Sequence, residues 1–303
     1  MERVVLNKHS VGFDARYYPC EKDHHATMIY MLGNSVFGFL VKMGVKWLHS
    51  LGVNVLVVAP KQGMEGFYDL PIDEFKKFIL YLKKEGQTKI GICGGSVTAM
   101  IALVVASYYH DISLTVAISP CDFIMQGYYR DALDKAKERP AAHKSTLLYR
   151  NEPLPYLPFA YEHPLYWQKI REESKATHNM IASKQMFYES ERLFAMNDDV
   201  RVKVEKIKGK IILAGAKDDC LWDTCKYIDR MKPYLSKDAK IYEYEYGTHF
   251  LFPQRMLKGK LYAATDYVVC LFASGRKHRK ECTFSRIDFD EKVTNDIKQW
   301  IKE

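Results

Sequence analysis

Lys89 to Met100 reads K-I-G-I-C-G-G-S-V-T-A-M and holds two side chains able to attack an electrophile, Cys93 and Ser96. An apolar run, paired glycines, a nucleophile and then a helical pattern make a strand–turn–helix context that presents a serine or thiol to an acyl carbon. In one frame Gly94-Gly95-Ser96-Val97-Thr98 fits G-x-S-x-G up to its last position, where Thr98 replaces the usual small residue. A β-branched side chain there is expected to crowd the turn. Ser96 would sit in a strained backbone conformation, with the Val97 amide at the following helix N-terminus placed to receive an oxyanion. The rival frame, Gly91-Ile92-Cys93-Gly94-Gly95, makes Cys93 the nucleophile but ends the strand at Ile90. Ser96 is therefore preferred, with Cys93 as the alternative nucleophile, more simply a small apolar residue in a buried strand.

A serine hydroxyl needs a base to take its proton and an acid to orient that base. With the nucleophile between strand and helix, the chain order is serine, acid, histidine. The acid belongs after a later parallel strand, where I-I-L-A-G-A-K-D-D-C-L-W-D-T (211–224) offers both Asp218 and Asp219. The base belongs after the final strand, and Y-E-Y-G-T-H-F-L-F-P (244–253) puts His249 on a Gly-Thr turn there. His24 and His25 precede a strand and read as surface residues. A second oxyanion donor is expected from the turn Gly33-Asn34-Ser35, with the Asn34 amide preferred. This chemistry needs no metal and no cofactor, and none is expected.

The elements that must position these groups alternate along the chain. Residues 11–20 and 25–32 read as strands, expected to form an initial antiparallel pair. A helix follows with Phe37, Leu40, Val41, Val45 and Leu48 on one stripe, ending at Gly52. V-N-V-L-V-V-A-P (53–60) is apolar on both faces, as a strand buried in a parallel sheet requires. A helix from about Pro71 to Gly86, the K-I-G-I-C strand, a helix over 98–109 and a strand over 114–119 continue the pattern. It resumes with a strand at 210–215, a helix near 223–235, a strand at 240–246 and a terminal helix from Glu291 to Ile301. Such alternation predicts an α/β fold with a mainly parallel, doubly wound sheet. The stretch from Phe123 to about Lys208, roughly 85 residues without a sheet strand, is too long for a connection. It reads as a lid subdomain, 123–208, inserted into a single domain spanning 1–303 and covering the crevice at the strands' carboxyl ends.

The chain's 303 residues carry 45 Lys and Arg against 37 Asp and Glu, a formal charge of +8. The excess is scattered, and the one basic cluster, Gly275 to Lys280 (G-R-K-H-R-K), lacks aromatic interleaving and reads as a solvated loop. No nucleic-acid partner is expected. Seven widely spaced cysteines without a C-x-x-C argue against a disulfide framework or zinc ribbon and for a reducing compartment. The N-terminus has no apolar signal region, and no run is long enough to span a membrane. A cytoplasmic protein acting on a small-molecule substrate is expected; its oligomeric state is not legible.

The motifs K-I-G-I-C-G-G-S, P-L-P-Y-L-P-F, D-D-C-L-W and G-T-H-F-L-F-P resemble the α/β-hydrolase superfamily over nearly the whole chain. Within it they are most similar to the C-terminal catalytic domain of the acyl-CoA thioesterase and bile acid-CoA:amino acid N-acyltransferase family. The family's D-x-x-W spacing points to Asp219, followed by Trp222. The resemblance implies acyl transfer from an ester or thioester through an acyl-serine to water or an amine. Serine at position 96, where the conjugating enzyme has cysteine, favours hydrolysis. The animal members carry an N-terminal β-sandwich, whereas here the hydrolase pattern begins almost at Met1. A serine hydrolase of acyl esters or thioesters is thus the leading expectation. The competing ones are an amine acyltransferase, a peptidase and a catalytically silent ligand-binding scaffold.

Overall fold

The computed structural model describes residues 12–22, 24–32, 35–61, 66–131, 137–257 and 268–303. Seven strands form the main sheet: β1 (Phe13–Tyr18), β2 (Ala26–Met31), β3 (Asn54–Pro60), β4 (Lys89–Gly95), β5 (Ile112–Ile118), β6 (Lys210–Ala216) and β7 (Lys240–Tyr244). Their spatial order is β1-β3-β2-β4-β5-β6-β7, all parallel except β1. The inner strands β2 and β3 are buried at every position, which is why their sequences are apolar on both faces.

Successive residues point to opposite faces, so the sheet feeds two cores. Ile29, Leu56 and Ile92 pack on one side with helices α2 (Glu74–Lys84), α3 (Val97–Tyr108) and α6 (Thr224–Met231). Met28, Val55, Val57 and Cys93 pack on the other with α1 (Phe39–His49) and α7 (Arg279–Lys302). No helix among the described residues is long and apolar enough to cross a membrane.

Several expectations change. The first two strands do not pair: β1 is hydrogen-bonded antiparallel to β3, while β2 lies between β3 and β4. β1, with Arg16 and Tyr18 only partly buried, suits an edge, whereas fully buried β2 needs a neighbour on both sides. Phe37 is exposed and precedes α1 instead of joining its buried stripe. The basic cluster at 275–280 is helical, split between a short helix at Ala273–Lys277 and the start of α7. That last helix is longer than expected because buried Ser285 and Arg286 interrupt its apolar pattern.

The segment 123–208 contains β-structure of its own. Gln126–Asp131 and Lys137–Ser145 form an antiparallel hairpin that Gly66–Phe67 extends. Leu147–Tyr149 pairs with Glu152–Pro153 and with Leu70–Pro71. None of these strands joins the main sheet. The polar run K-E-R-P-A-A-H-K-S hides its strand because neither face is consistently apolar. Helices α4 (Leu165–Ala176) and α5 (Lys184–Phe194) complete the segment. Its Met125, Phe159 and Phe187 share one buried cluster with α3 and α6.

Candidate active site

Strand β4 ends at Gly95 and α3 begins at Val97, leaving Ser96 alone at the junction with φ 61° and ψ −133°. A non-glycine residue there is strained, and the strain persists only because its surroundings enforce it. A Cβ on Gly94 would lie 2.1 Å from the Thr98 carbonyl oxygen, so glycine is what lets the turn close. The Ser96 amide donates to the Ile118 carbonyl at 2.9 Å, tying the turn to β5.

Thr98 does not crowd this turn; it fastens it. Its hydroxyl accepts the Gly95 amide at 3.0 Å and lies 2.6 Å from the Met31 carbonyl, joining the turn to the end of β2. The Val97 amide is one of the four donors that a helix N-terminus leaves without an intrahelical partner. Gly33 and Asn34, the expected second donor, lie outside the described residues.

His249 follows β7, held by its backbone on a turn where Thr248 has φ 57°. Its Nε2 is 2.8 Å from Ser96 Oγ and its Nδ1 is 2.8 Å from Asp219 Oδ2. Asp219 is 2% exposed, and it also accepts the Leu221 amide at 2.9 Å and the Thr224 hydroxyl at 2.5 Å. Residues far apart in sequence therefore form one continuous hydrogen-bonded chain. It can move a proton from Ser96 to the imidazole while a buried carboxylate fixes the ring.

Asp218 is directed elsewhere. Its Oδ1 accepts the Gly247 and Thr248 amides at 2.9 and 2.8 Å, and its Oδ2 accepts the Ser274 hydroxyl at 2.5 Å. Burial pushes its carboxyl above the ordinary range against these hydrogen bonds. Ser119 donates to the His249 carbonyl at 3.1 Å, and Trp222 meets the His249 ring edge-on, 4.8 Å between centroids. Sequence reasoning missed the parts played by Asp218, Ser119 and Ser274; the doubled aspartate was the only signal of the first.

Cys93 lies within β4 and is 1% exposed among Tyr30, Leu114 and Val116. Burial pushes its thiol up to about 12, so little thiolate forms near neutral pH. His24 and His25 are exposed.

Ser96 and His249 open onto a cavity of about 560 Å³. Its walls are largely apolar, from Leu32, Phe67, Met125, Phe159, Phe187 and Trp222. Leu32 and Trp222 come from loops after strands of the main sheet, and the other four from 123–208 and the strand Gly66–Phe67 that pairs with it.

The model of the BAAT / acyl-CoA thioester hydrolase C-terminal family matches residues 70–254, which include Ser96, Asp219 and His249. The chain belongs to that family. Among solved structures it is similar to the Pyrococcus furiosus esterase Pf2001, seen in two crystal forms. They are 14% and 13% identical with a TM-score of 0.50 in both, covering 99% of this chain and 91% and 90% of theirs. It is also similar to Est1E from Butyrivibrio proteoclasticus, at 11% identity and TM-score 0.46 over 88% of this chain and 95% of that one. No curated protein matches it by sequence. This family member is thus an α/β hydrolase, an enzyme of an ester or thioester hydrolase family acting on a small molecule.

Proposed function

We propose that the protein hydrolyses an acyl ester or thioester through an acyl-serine intermediate. The observation that carries this reading is the unbroken line from Ser96 Oγ through His249 to Asp219, each contact 2.8 Å. Ser96 Oγ attacks the acyl carbon as His249 Nε2 takes its proton, and Asp219 holds Nδ1–H and stabilises the imidazolium. The oxyanion accepts the Val97 amide at the N-terminus of α3. Collapse breaks the carbon–oxygen or carbon–sulfur bond, and His249 passes its proton to the leaving group. Water then attacks the acyl-serine with His249 as base, releasing the acid and restoring the Ser96 hydroxyl.

Residues 123–208 act in this reading as the lid of a single domain and supply much of the acyl pocket. An apolar cavity beside the nucleophile suits an acyl chain and excludes water from the developing charge. The reading is tested with a fluorophosphonate probe and Ser96→Ala. The probe should label Ser96, and the variant should lose about 10⁴-fold or more in kcat on p-nitrophenyl esters or acyl thioesters. Full activity in Ser96→Ala, with Cys93→Ala inactive, would overturn it. Added glycine or taurine should leave the free acid as the product.

A further inference from the structure

An aromatic wall leads away from His249 inside the cavity. Trp222 stands 4.8 Å from the His249 ring, Phe187 5.5 Å from Trp222, Phe159 5.9 Å from Phe187, and Tyr166 5.3 Å from Phe159, all between centroids. At its far end the lining changes character, with Tyr128, Tyr166, Arg130 and Glu138 all bordering the cavity. Tyr166 is 4% exposed and Tyr128 is half-buried. Arg130 and Glu138 are paired with each other at 3.0 Å at the outer rim.

We propose that the cavity selects an acyl chain that is apolar beside the reacting carbon and carries a neutral hydrogen-bonding group, a hydroxyl, at its distal end, received by Tyr128 and Tyr166. This rests on the reading that Ser96 is the acylated nucleophile. A purely aliphatic chain would fill the apolar wall but leave two phenols facing hydrocarbon, which costs binding energy. A charged terminus is disfavoured from either side, because an anion would meet Glu138 and a cation Arg130 in an already balanced pair. Each phenol offers one donor and lone pairs, the complement of an alcohol. Burial and the nearby Glu138 carboxylate both push the phenols upward, so they stay protonated donors. A site built to hydrogen-bond a substrate hydroxyl rejects the analogue lacking it far better than an apolar pocket discriminates by size.

The test compares p-nitrophenyl esters of ω-hydroxyalkanoates with their unsubstituted counterparts, from octanoate to hexadecanoate. At the best chain length the ω-hydroxy ester should have kcat/KM about tenfold higher or more. Tyr128→Phe and Tyr166→Phe should each lower kcat/KM for the ω-hydroxy ester more than for the plain ester, so that the ratio between the two falls towards one. Quenching of tryptophan fluorescence by the free ω-hydroxy and plain acids should show the same order in Ser96→Ala, so the result does not depend on turnover. A plain chain preferred at every length, or phenylalanine variants that weaken both series equally, would overturn the proposal and leave the Ser96 reading intact. Full turnover by Ser96→Ala would instead sink that reading, whatever the chain preference.

Discussion

Adjacent carboxylates reach the same histidine by different routes, Asp219 through the imidazole and Asp218 through the backbone that carries it. Asp218→Ala would leave the buried Gly247 and Thr248 amides unpaired, at about 1–3 kcal/mol. A small displacement of His249 should lower kcat by up to about 100-fold with KM little changed. Asp218→Asn keeps an acceptor for both amides and should recover most of the rate, which steady-state kinetics of the two variants will check. Its stability has a pH signature. A carboxyl raised by burial is ionised at a cost near neutral pH, and protonation on acidification relieves that cost. Thermal melts should therefore favour Asp218→Asn most at neutral pH, with the difference shrinking towards about pH 4. At the turn, Thr98→Val removes the hydroxyl that joins Gly95 to Met31. Its kcat should fall with the fold intact, as circular dichroism and ester assays would show. A local G-x-S-x-G comparison treats Thr98 as a misfit because its bond to Met31 spans two strands.

Helix α5 is fastened to α6 by charge as well as by apolar packing. Arg230 donates to Asp122 at 2.7 and 2.5 Å and to Glu191 of α5 at 2.6 Å. Asp122 is 2% exposed, and burial raises its carboxyl against the pull of the guanidinium. Removing the cation strands a buried carboxylate, so Arg230→Ala should cost about 3–5 kcal/mol in urea denaturation. Arg230→Met combined with Asp122→Asn should recover much of that loss, because the unpaired charge is gone. Elements with a two-sided apolar run, such as β3, could be read directly from sequence. The hairpin at 126–145 could not, since its strands are polar and draw their order from Gly66–Phe67. Neither could the partner of β1, because a strand's pattern states how deeply it is buried but not beside which neighbour.

At the scale of the whole molecule, a parallel sheet brings every strand's carboxyl end to one edge, and β4, β6 and β7 all end there. That is why Ser96, Asp219 and His249 could be placed from their order after strands, although no local pattern joins them. The cavity walls escaped the same reasoning, because Phe159 and Phe187 acquire their role from packing against distant loops. Those residues also bear on cooperativity. Segment 123–208 contributes to the same buried cluster as α3 and α6, so opening it exposes the core beneath. A chain of this length commonly unfolds through intermediates, and an insertion with its own core would be the first part lost. Here the shared core predicts that segment 123–208 and the sheet unfold together. Trp167 lies in segment 123–208, whereas Trp47 and Trp300 pack on the opposite face of the sheet. Variants retaining one tryptophan in each region should give urea midpoints that coincide with each other and with far-ultraviolet circular dichroism. An earlier transition reported by Trp167 alone would show segment 123–208 to be a separate folding unit, able to open without disturbing the sheet.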